Sequence, residues 1–165
     1  MAADPYDLNR FISAQENIYP KVISELNGGY KQSHWMWFIF PQIDGLGRTQ
    51  TARHYAIKSK QEADEYLRNP ILGSRLLECS DILLSLEGRS VSDIFAYPDD
   101  LKLHSCMTLF SAMAESHSVF EQVLDKYFES AKIRNANIGK IKKLVLIDVA
   151  WAIIPINNGP ISIPP

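Results

Sequence analysis

An apolar stripe between residues 70 and 86 constrains the fold of this chain more than any other feature. Its members recur at alternating steps of four and three residues, the spacing of one buried face of an α-helix. They are Leu72, Leu76, Cys79, Leu83 and Leu86. Pro70 suits a first helical position and Gly88 suits the stop that follows a helix. The stripe therefore predicts a long helix that must pack against other elements.

Similar patterns predict helices along most of the chain. Two helices are expected before Gly28-Gly29, divided near residues 16–20. Ser59 followed by Glu62 matches a capping box ahead of a short helix that ends before residue 69. Ser90 with Asp93 has the same spacing and predicts a short helical turn near residues 94–95.

The segment after Tyr97-Pro98 predicts a helix that starts at Asp99 or Asp100, with the first acid as its N-cap. Apolar residues on both of its sides indicate that this helix is central. A further capping box, Ser118 with Glu121, opens the helix VFEQVLDKYF.

These patterns predict an all-α protein with a single compact domain over residues 1–130, built from about six to eight orthogonally packed helices. Residues 131–165 form a C-terminal extension of uncertain structure. The extension contains LVLIDVAWAIIPI, which has the β-branched composition of a strand, yet no partner strand is visible elsewhere.

Composition excludes several classes of function. A net charge of -2 gives a nucleic-acid partner no electrostatic support. The N-terminus resembles no signal peptide and no apolar run is long enough for a membrane span, so we expect a cytoplasmic protein. Cys79 and Cys106 are predicted to be free thiols on core faces. At 165 residues the chain needs no cofactor or disulfide to fold.

The stretch SHWMWFIFPQ, residues 33–42, is the first candidate for a binding site. It is apolar from Trp35 to Phe40, so periodicity does not separate a buried strand from a buried helix. In a helix with Ser33 as N-cap, Trp37 shares the face of Ser33 and lies beside His34. The two tryptophans are either core residues or a flat wall for a planar ligand.

The loop PQIDGLGRT comes next and contains Gln42, Gly45, Gly47 and Arg48. Backbone N–H groups at its junction with a helix capped by Thr49 or Thr51 can hold an anion, with added charge from Arg48 or Arg53. The loop matches neither GxGxxG nor the P-loop pattern, so an ordinary tight turn is the alternative interpretation.

The third candidate is the segment YPDDLKLHS, which brings Asp100, Lys102 and Ser105 close together. Helix capping accounts for the Asp pair without any further role. In the functional interpretation these side chains face a pocket, where a lysine beside an acid binds a carboxylate or phosphate, or Asp100 acts as a general base.

Other catalytic patterns are missing from the sequence. The four histidines have no histidine partner at i+3 or i+4 and no cysteine at ligand spacing, so we expect no metal site. No GxSxG nucleophile elbow is present for a serine hydrolase.

The blocks SHWMWFIFPQ followed by GLG, then YLRNPILGSRL, PDDLKL and MTLF, resemble a family of small, mainly helical, uncharacterised proteins. This family is known as domain of unknown function eighteen-ten, and some members carry a calpastatin label. LNRFISAQENIY also matches, so the resemblance spans about residues 7–128. It implies a single all-helical cytosolic domain, usually bacterial, without an established enzymatic activity, and it favours a helix for residues 35–40.

The chain departs from the family pattern at a few positions. Arg48-Thr49 follows GLG where the family often has serine, Ala96 replaces glycine, and Cys106 replaces the second serine of SSMTLF. The resemblance fades after Phe128, which makes residues 131–165 a lineage-specific or read-through extension by hypothesis.

Three functions are compatible with these features. The first is a pocket between helices for a small nucleotide-like or aromatic ligand. Its predicted lining is Ser33, His34, Trp37, Gln42 and Arg48 on one wall and Asp100, Lys102 and Ser105 on the other.

The second function is a protein-interaction module that docks a partner of unknown identity through an exposed aromatic patch. The third is a hydrolase that cleaves an N-glycosidic bond in a nucleotide-derived metabolite. Residues 83–100 resemble, at the level of fold, a helical family proposed to act on NAD and ADP-ribose derivatives. Asp100 would then activate water beside Trp37.

Overall fold

The computed structural model describes residues 3–128, and nine helices account for most of them. In chain order they are α1 (Asn9–Glu16), α2 (Tyr19–Asn27), α3 (Met36–Ile39), α4 (Gln50–His54), α5 (Lys60–Arg68), α6 (Leu72–Ser85), α7 (Val91–Ile94), α8 (Asp99–Met113) and α9 (Val119–Phe128). The all-α prediction is confirmed. The count exceeds the expected six to eight because α3, α4 and α7 have five residues or fewer, too few to show a periodicity. The predicted extension from residue 131 lies outside the described residues.

Helix α8 is the centre of the domain, as predicted. It packs against α3, α5, α7 and α9, while α6 packs against α2, α5 and α9. Leu103, Met107 and Phe110 are buried on α8, and so is Leu109 on another side of the helix. Because α8 is buried on several sides, little of its surface is accessible to solvent. A residue on α8 is accessible only where the neighbouring elements leave a gap.

Both cysteines are buried free thiols, which confirms their predicted place in the core. Burial raises the pKa of the Cys79 thiol to about 12. Burial also raises the pKa of Cys106 well above its usual range. The thiol is therefore the stable form of both side chains, and both act as packing groups.

Side-chain caps fix the starts of four helices as the sequence predicts. The hydroxyl of Thr49 accepts a hydrogen bond from the Ala52 N–H at the start of α4. Ser59 accepts one from the Glu62 N–H at the start of α5. Ser90 and Asp93 form a complete capping box at α7. The hydroxyl of Ser118 accepts a hydrogen bond from the Glu121 N–H at the start of α9. These contacts span three residues, so local sequence determines them.

Other predicted helix boundaries hold only in part. Helix α6 begins at Leu72, and Pro70 lies in the capped turn that leads into it: the Asn69 carboxamide oxygen accepts the N–H groups of Ile71 and Leu72, and the Asn69 carbonyl oxygen accepts the Gly73 N–H. It ends at Ser85, before Gly88. Helix α8 has Pro98 at its N-cap position, so Asp99 is its first helical residue and not its cap.

The tryptophan stretch contains a helix, which resolves the choice between helix and strand. Ser33 is not its N-cap, contrary to the prediction, because Trp35 occupies that position. The Glu25 carboxylate instead binds this segment: it accepts the N–H groups of Gln32 and Ser33 and the indole N–H of Trp35, at 2.9, 2.6 and 2.7 Å. The turn before α3 is therefore organised by a carboxylate from α2.

None of the helices between residues 3 and 128 combines the length and the apolar character that crossing a bilayer requires.

Candidate functional site

A cavity of about 380 Å³ lies between the start of α8 and the segment that joins α3 to α4. We call it the Trp37 pocket. Its lining residues are Trp37, Gln42, Leu46, Gly47, Arg48, Thr49, Ala52, Pro98, Leu101, Lys102 and Ser105. The volume falls within the range typical of small-molecule sites, and most of the lining is apolar.

One wall of the pocket is a single stripe along α8. Pro98, Leu101, Lys102 and Ser105 follow one another at i, i+3, i+4 and i+7, so they share one helix face. Ser105 is buried, and its hydroxyl donates to the Leu101 carbonyl oxygen at 3.0 Å. Its oxygen lone pairs remain able to accept a hydrogen bond from a ligand.

The opposite wall is held in place by an isolated parallel bridge between Ile43 and Ile57. The Ile57 N–H donates to the Gln42 carbonyl oxygen, and the Asp44 N–H donates to the Ile57 carbonyl oxygen, both at 2.9 Å. These bonds close the base of the intervening loop. Gln42, at the start of the loop, is thereby fixed relative to α4.

Gly47 packs directly against the first turn of α4. A Cβ atom at Gly47 would lie 2.4 Å from the Cβ of Ala52 and 3.4 Å from the Gln42 side-chain nitrogen. Real Cβ atoms do not approach this closely, so only glycine allows the loop to reach this position without a shift. The shape of this wall depends on that contact.

The charged lining residues are both cations, Arg48 and Lys102; no carboxylate of residues 3–128 lines the pocket. Arg48 is exposed and forms no ion pair within the described residues. The Lys102 Nζ lies 4.6 Å from the centroid of the Trp37 ring and 3.2 Å from Asp99 Oδ1. The pocket therefore combines apolar and aromatic surface with positive charge.

Five of the eight residues predicted for the binding site line this pocket: Trp37, Gln42, Arg48, Lys102 and Ser105. They come from α3, the loop and α8, as the arrangement of two opposed walls requires. The other three, Ser33, His34 and Asp100, are not among the lining residues.

Each of these three exceptions has a structural reason. The Ser33 backbone is hydrogen-bonded to Glu25. His34 is exposed on the preceding turn. Asp100 is off the Pro98–Ser105 stripe by its position on α8, and its carboxylate accepts the Leu101 N–H at 2.9 Å. The general-base role predicted for Asp100 gains no support from this placement.

The two tryptophans of the stretch have different environments. Trp35 is fully buried and packs edge-to-face on Phe95, so it is a core residue. Trp37 is half-buried and lines the pocket. Trp35 therefore belongs to the core, whereas Trp37, two positions later, forms part of the pocket wall.

Sequence reasoning missed Asp99 and Lys31, which carry the charge network behind the pocket. Asp99 Oδ2 lies 2.8 Å from Lys31 Nζ, and its other oxygen contacts Lys102. No local pattern marks Lys31, because its partner lies far along the chain. The spacing of Pro98, Leu101 and Ser105 was visible in the sequence and would have excluded Asp100 from this face.

Within residues 3–128, no group of three or more His, Cys, Asp or Glu side chains is arranged to hold a metal ion.

Comparisons with known proteins identify the family but no activity. The crystal structure of the conserved hypothetical protein Rv1873 from Mycobacterium tuberculosis is similar to this chain, with 44% sequence identity and a TM-score of 0.76. The match covers 83% of this chain and 97% of that chain. No significant match is found among curated proteins. The profile of the family described as Protein of unknown function (DUF1810) matches residues 5–137, and the chain belongs to this family.

Proposed function

We propose that this protein binds a small ligand with a planar aromatic group in the Trp37 pocket. The observation that carries the proposal is the half-buried indole of Trp37 in a mainly apolar cavity of about 380 Å³ that also presents Arg48 and Lys102. Apolar surface with a few convergent polar groups is the usual composition of a ligand site. Nucleotide-like molecules combine a planar ring with polar groups and fit this description.

Hydrolysis is not included in this function. Cleavage of an N-glycosidic bond needs a group that activates water, and no carboxylate of the described residues lines the pocket. Arg48 and Lys102 orient and attract a ligand, but a cation does not accept the proton of an attacking water. Ligand binding is the function that the lining residues support.

A thermal-shift screen tests the proposal. The panel contains nucleotides, NAD, ADP-ribose and flavin precursors, and a compound that binds the native state raises the melting temperature by mass action. We expect at least one compound to raise it, and we expect Trp37→Ala to lose that rise. His34→Ala is the matched control, because His34 is exposed and does not line the pocket.

The proposal is wrong if no compound stabilises the protein, or if Trp37→Ala keeps the full response. Loss of the response in His34→Ala with retention in Trp37→Ala would place the ligand on the turn before α3 instead. Fluorescence of the tryptophans provides a second readout, since a ligand stacked near Trp37 changes its emission.

A second candidate function is a protein-interaction surface. Tyr97 is 80% exposed and directly precedes Pro98 at the edge of the pocket. An exposed aromatic side chain of this kind is typical of interface anchors. Tyr97→Ser distinguishes the two functions, because it removes an anchor without altering the pocket lining.

A further inference from the structure

We infer that the Trp37 pocket selects ligands whose planar ring carries an anionic group, and that Lys31 and Asp99 set this selectivity from outside the pocket. This inference rests on the ligand binding proposed above and defines the ligand class. Neither Lys31 nor Asp99 lines the cavity. Their effect passes through Lys102, which does.

Asp99 holds two lysines, one on each of its oxygens. Oδ2 lies 2.8 Å from Lys31 Nζ and Oδ1 lies 3.2 Å from Lys102 Nζ. Each ammonium also lies over an indole, at 5.1 Å from the Trp35 centroid for Lys31 and at 4.6 Å from the Trp37 centroid for Lys102. The two cation–π contacts and the shared carboxylate fix both lysine heads relative to the tryptophan stretch.

This group is largely shielded from solvent. The exposed fractions of the side chains are 9% for Lys31, 20% for Asp99 and 19% for Lys102. Charges in such positions are screened by salt less than charges on an open surface. A change in one of them therefore alters the potential that a ligand meets in the adjoining pocket.

The charges of the group do not balance. One carboxylate shared by two ammonium groups leaves a net charge of one positive unit, and Arg48 adds another at the pocket. Among residues 3–128, no other carboxylate forms an ion pair with these cations. Lys102 uses one of its three N–H donors on Asp99, so donors remain for a ligand. A phosphate or carboxylate on the ligand supplies the missing negative charge.

Lys31 is essential to this balance although it does not touch the ligand. With Lys31 present, Asp99 divides its charge between two partners. Without Lys31, the Asp99 carboxylate has Lys102 as its one cationic partner among the described residues and neutralises more of the Lys102 charge. The attraction of Lys102 for an anionic ligand therefore falls. Lys31 is thus a positioning and charge-setting residue, and its removal should affect anionic ligands selectively.

Binding of matched ligand pairs tests the inference. The probes are nucleosides against their 5′-monophosphates, indole-3-ethanol against indole-3-acetate, and inorganic phosphate alone, each titrated into the full chain by calorimetry at low and high salt. We expect the anionic member of a pair to bind about tenfold more tightly or better, the size of one charge-assisted hydrogen bond. This advantage should shrink at high salt, and inorganic phosphate should bind more weakly than the phosphorylated ring.

Three variants assign the effect to residues. Lys102→Met and Lys31→Met should each remove most of the advantage of the anionic member. Lys31→Met, which lies outside the lining, should also leave the affinity for the neutral member unchanged. Lys31→Arg keeps the charge and should keep the advantage. Melting temperatures of all variants show whether each protein is folded, and the conservative Lys31→Arg remains informative if Lys31→Met is unstable.

The possible results separate the inference from the proposed function. Equal binding of neutral and anionic members, still lost in Trp37→Ala, overturns the anion selectivity and leaves ligand binding intact. A failure of every probe to bind overturns both. If Lys31→Met weakens neutral and anionic ligands by the same factor, Lys31 has only a structural role and its part in selectivity is refuted.

Discussion

Two arginines show how the same side chain serves stability in one region and remains available in another. Arg10 is nearly buried and donates to the carbonyl oxygens of His54, Tyr6, Asp7 and Ala56 and to the Glu62 carboxylate. We call this region the Arg10 junction. Arg48, at the Trp37 pocket, is exposed and has no ion pair within residues 3–128.

The difference lies in how many donors are already used. A guanidinium has five N–H donors, and each donor of Arg10 has a partner, so the junction is complete without a ligand. It ties α1 to the connection between α4 and α5. The pocket instead presents cations next to apolar surface with donor capacity left over. A buried charge whose donors all have protein partners indicates a structural role. An exposed charge beside a cavity keeps its donors for a ligand.

Removing each arginine is the most direct way to break this comparison. Arg10→Met should lower the free energy of unfolding by about 3–5 kcal/mol, because within the described part of the chain it leaves the buried Glu62 carboxylate with the Lys58 N–H as its partner and no cation. Arg48→Met should change it by no more than about 0.5 kcal/mol, as expected for an exposed side chain. Urea unfolding of both variants measures the difference.

Arg10→Lys is the control for charge without geometry. A lysine keeps the positive charge but lacks the planar fork that reaches five acceptors, so an intermediate loss is expected. If Arg10→Met and Arg48→Met lost equal stability, the number of satisfied donors would not explain the difference between the two regions.

Gly47 tests whether the pocket wall is as strictly packed as the junction. Gly47→Ala places a Cβ 2.4 Å from that of Ala52, so the loop must move. We expect a loss of about 1–3 kcal/mol, typical of overpacking, together with loss of ligand binding. Thermal unfolding and the ligand-induced shift measure the two effects separately.

Ala52→Gly provides the matched rescue for this variant. The double variant Gly47→Ala with Ala52→Gly removes the clash, so it should be more stable than the sum of the single changes predicts. Strict additivity would show that the contact between these two residues does not shape the wall.

Local contacts explain why much of this fold was predictable from the sequence. The caps at Ser59 and Ser90 and the stripe through Leu76 and Leu83 depend on residues within a few positions of each other. The lining of the pocket was predicted in part for the same reason, since Lys102 and Ser105 belong to one helix face.

Long-range pairing explains most of what was missed. Arg10 and Glu62 are 52 residues apart, and Lys31 meets Asp99 only when α7 and α8 are packed beside the tryptophan stretch. The sequence does not show these long-range contacts, so it gives no reason to place Asp99 rather than Asp100 beside the pocket. The sequence therefore predicts the types of residue that line the pocket. It does not predict that Asp99 and Lys31 hold them in place.

Glu25 extends the comparison to a carboxylate whose contacts are satisfied, as those of Arg10 are, and whose effect depends on pH. Burial acts to raise the pKa of Glu25, but the hydrogen bonds from Trp35, Ser33 and Gln32 outweigh it and hold the pKa below its usual range. As pH falls, the unfolded chain therefore binds a proton at Glu25 before the folded protein does. The stabilisation is complete once the pH is well above the ordinary value of 4.5, and it is lost as pH falls through the lowered folded value.

Glu25→Gln should lower the free energy of unfolding by about 1–2 kcal/mol near neutral pH, because an amide has a single acceptor oxygen. If that oxygen keeps the Gln32 and Ser33 N–H groups, the amide NH2 faces the indole N–H of Trp35 as a second donor. The variant should also lose stability less steeply than the wild type between about pH 5 and about pH 3, because it has no proton to take up at this position. Urea unfolding across this range measures both effects, with the exposed Glu16→Gln as the control. Parallel curves for wild type and Glu25→Gln would mean that the turn before α3 does not depend on this carboxylate's charge.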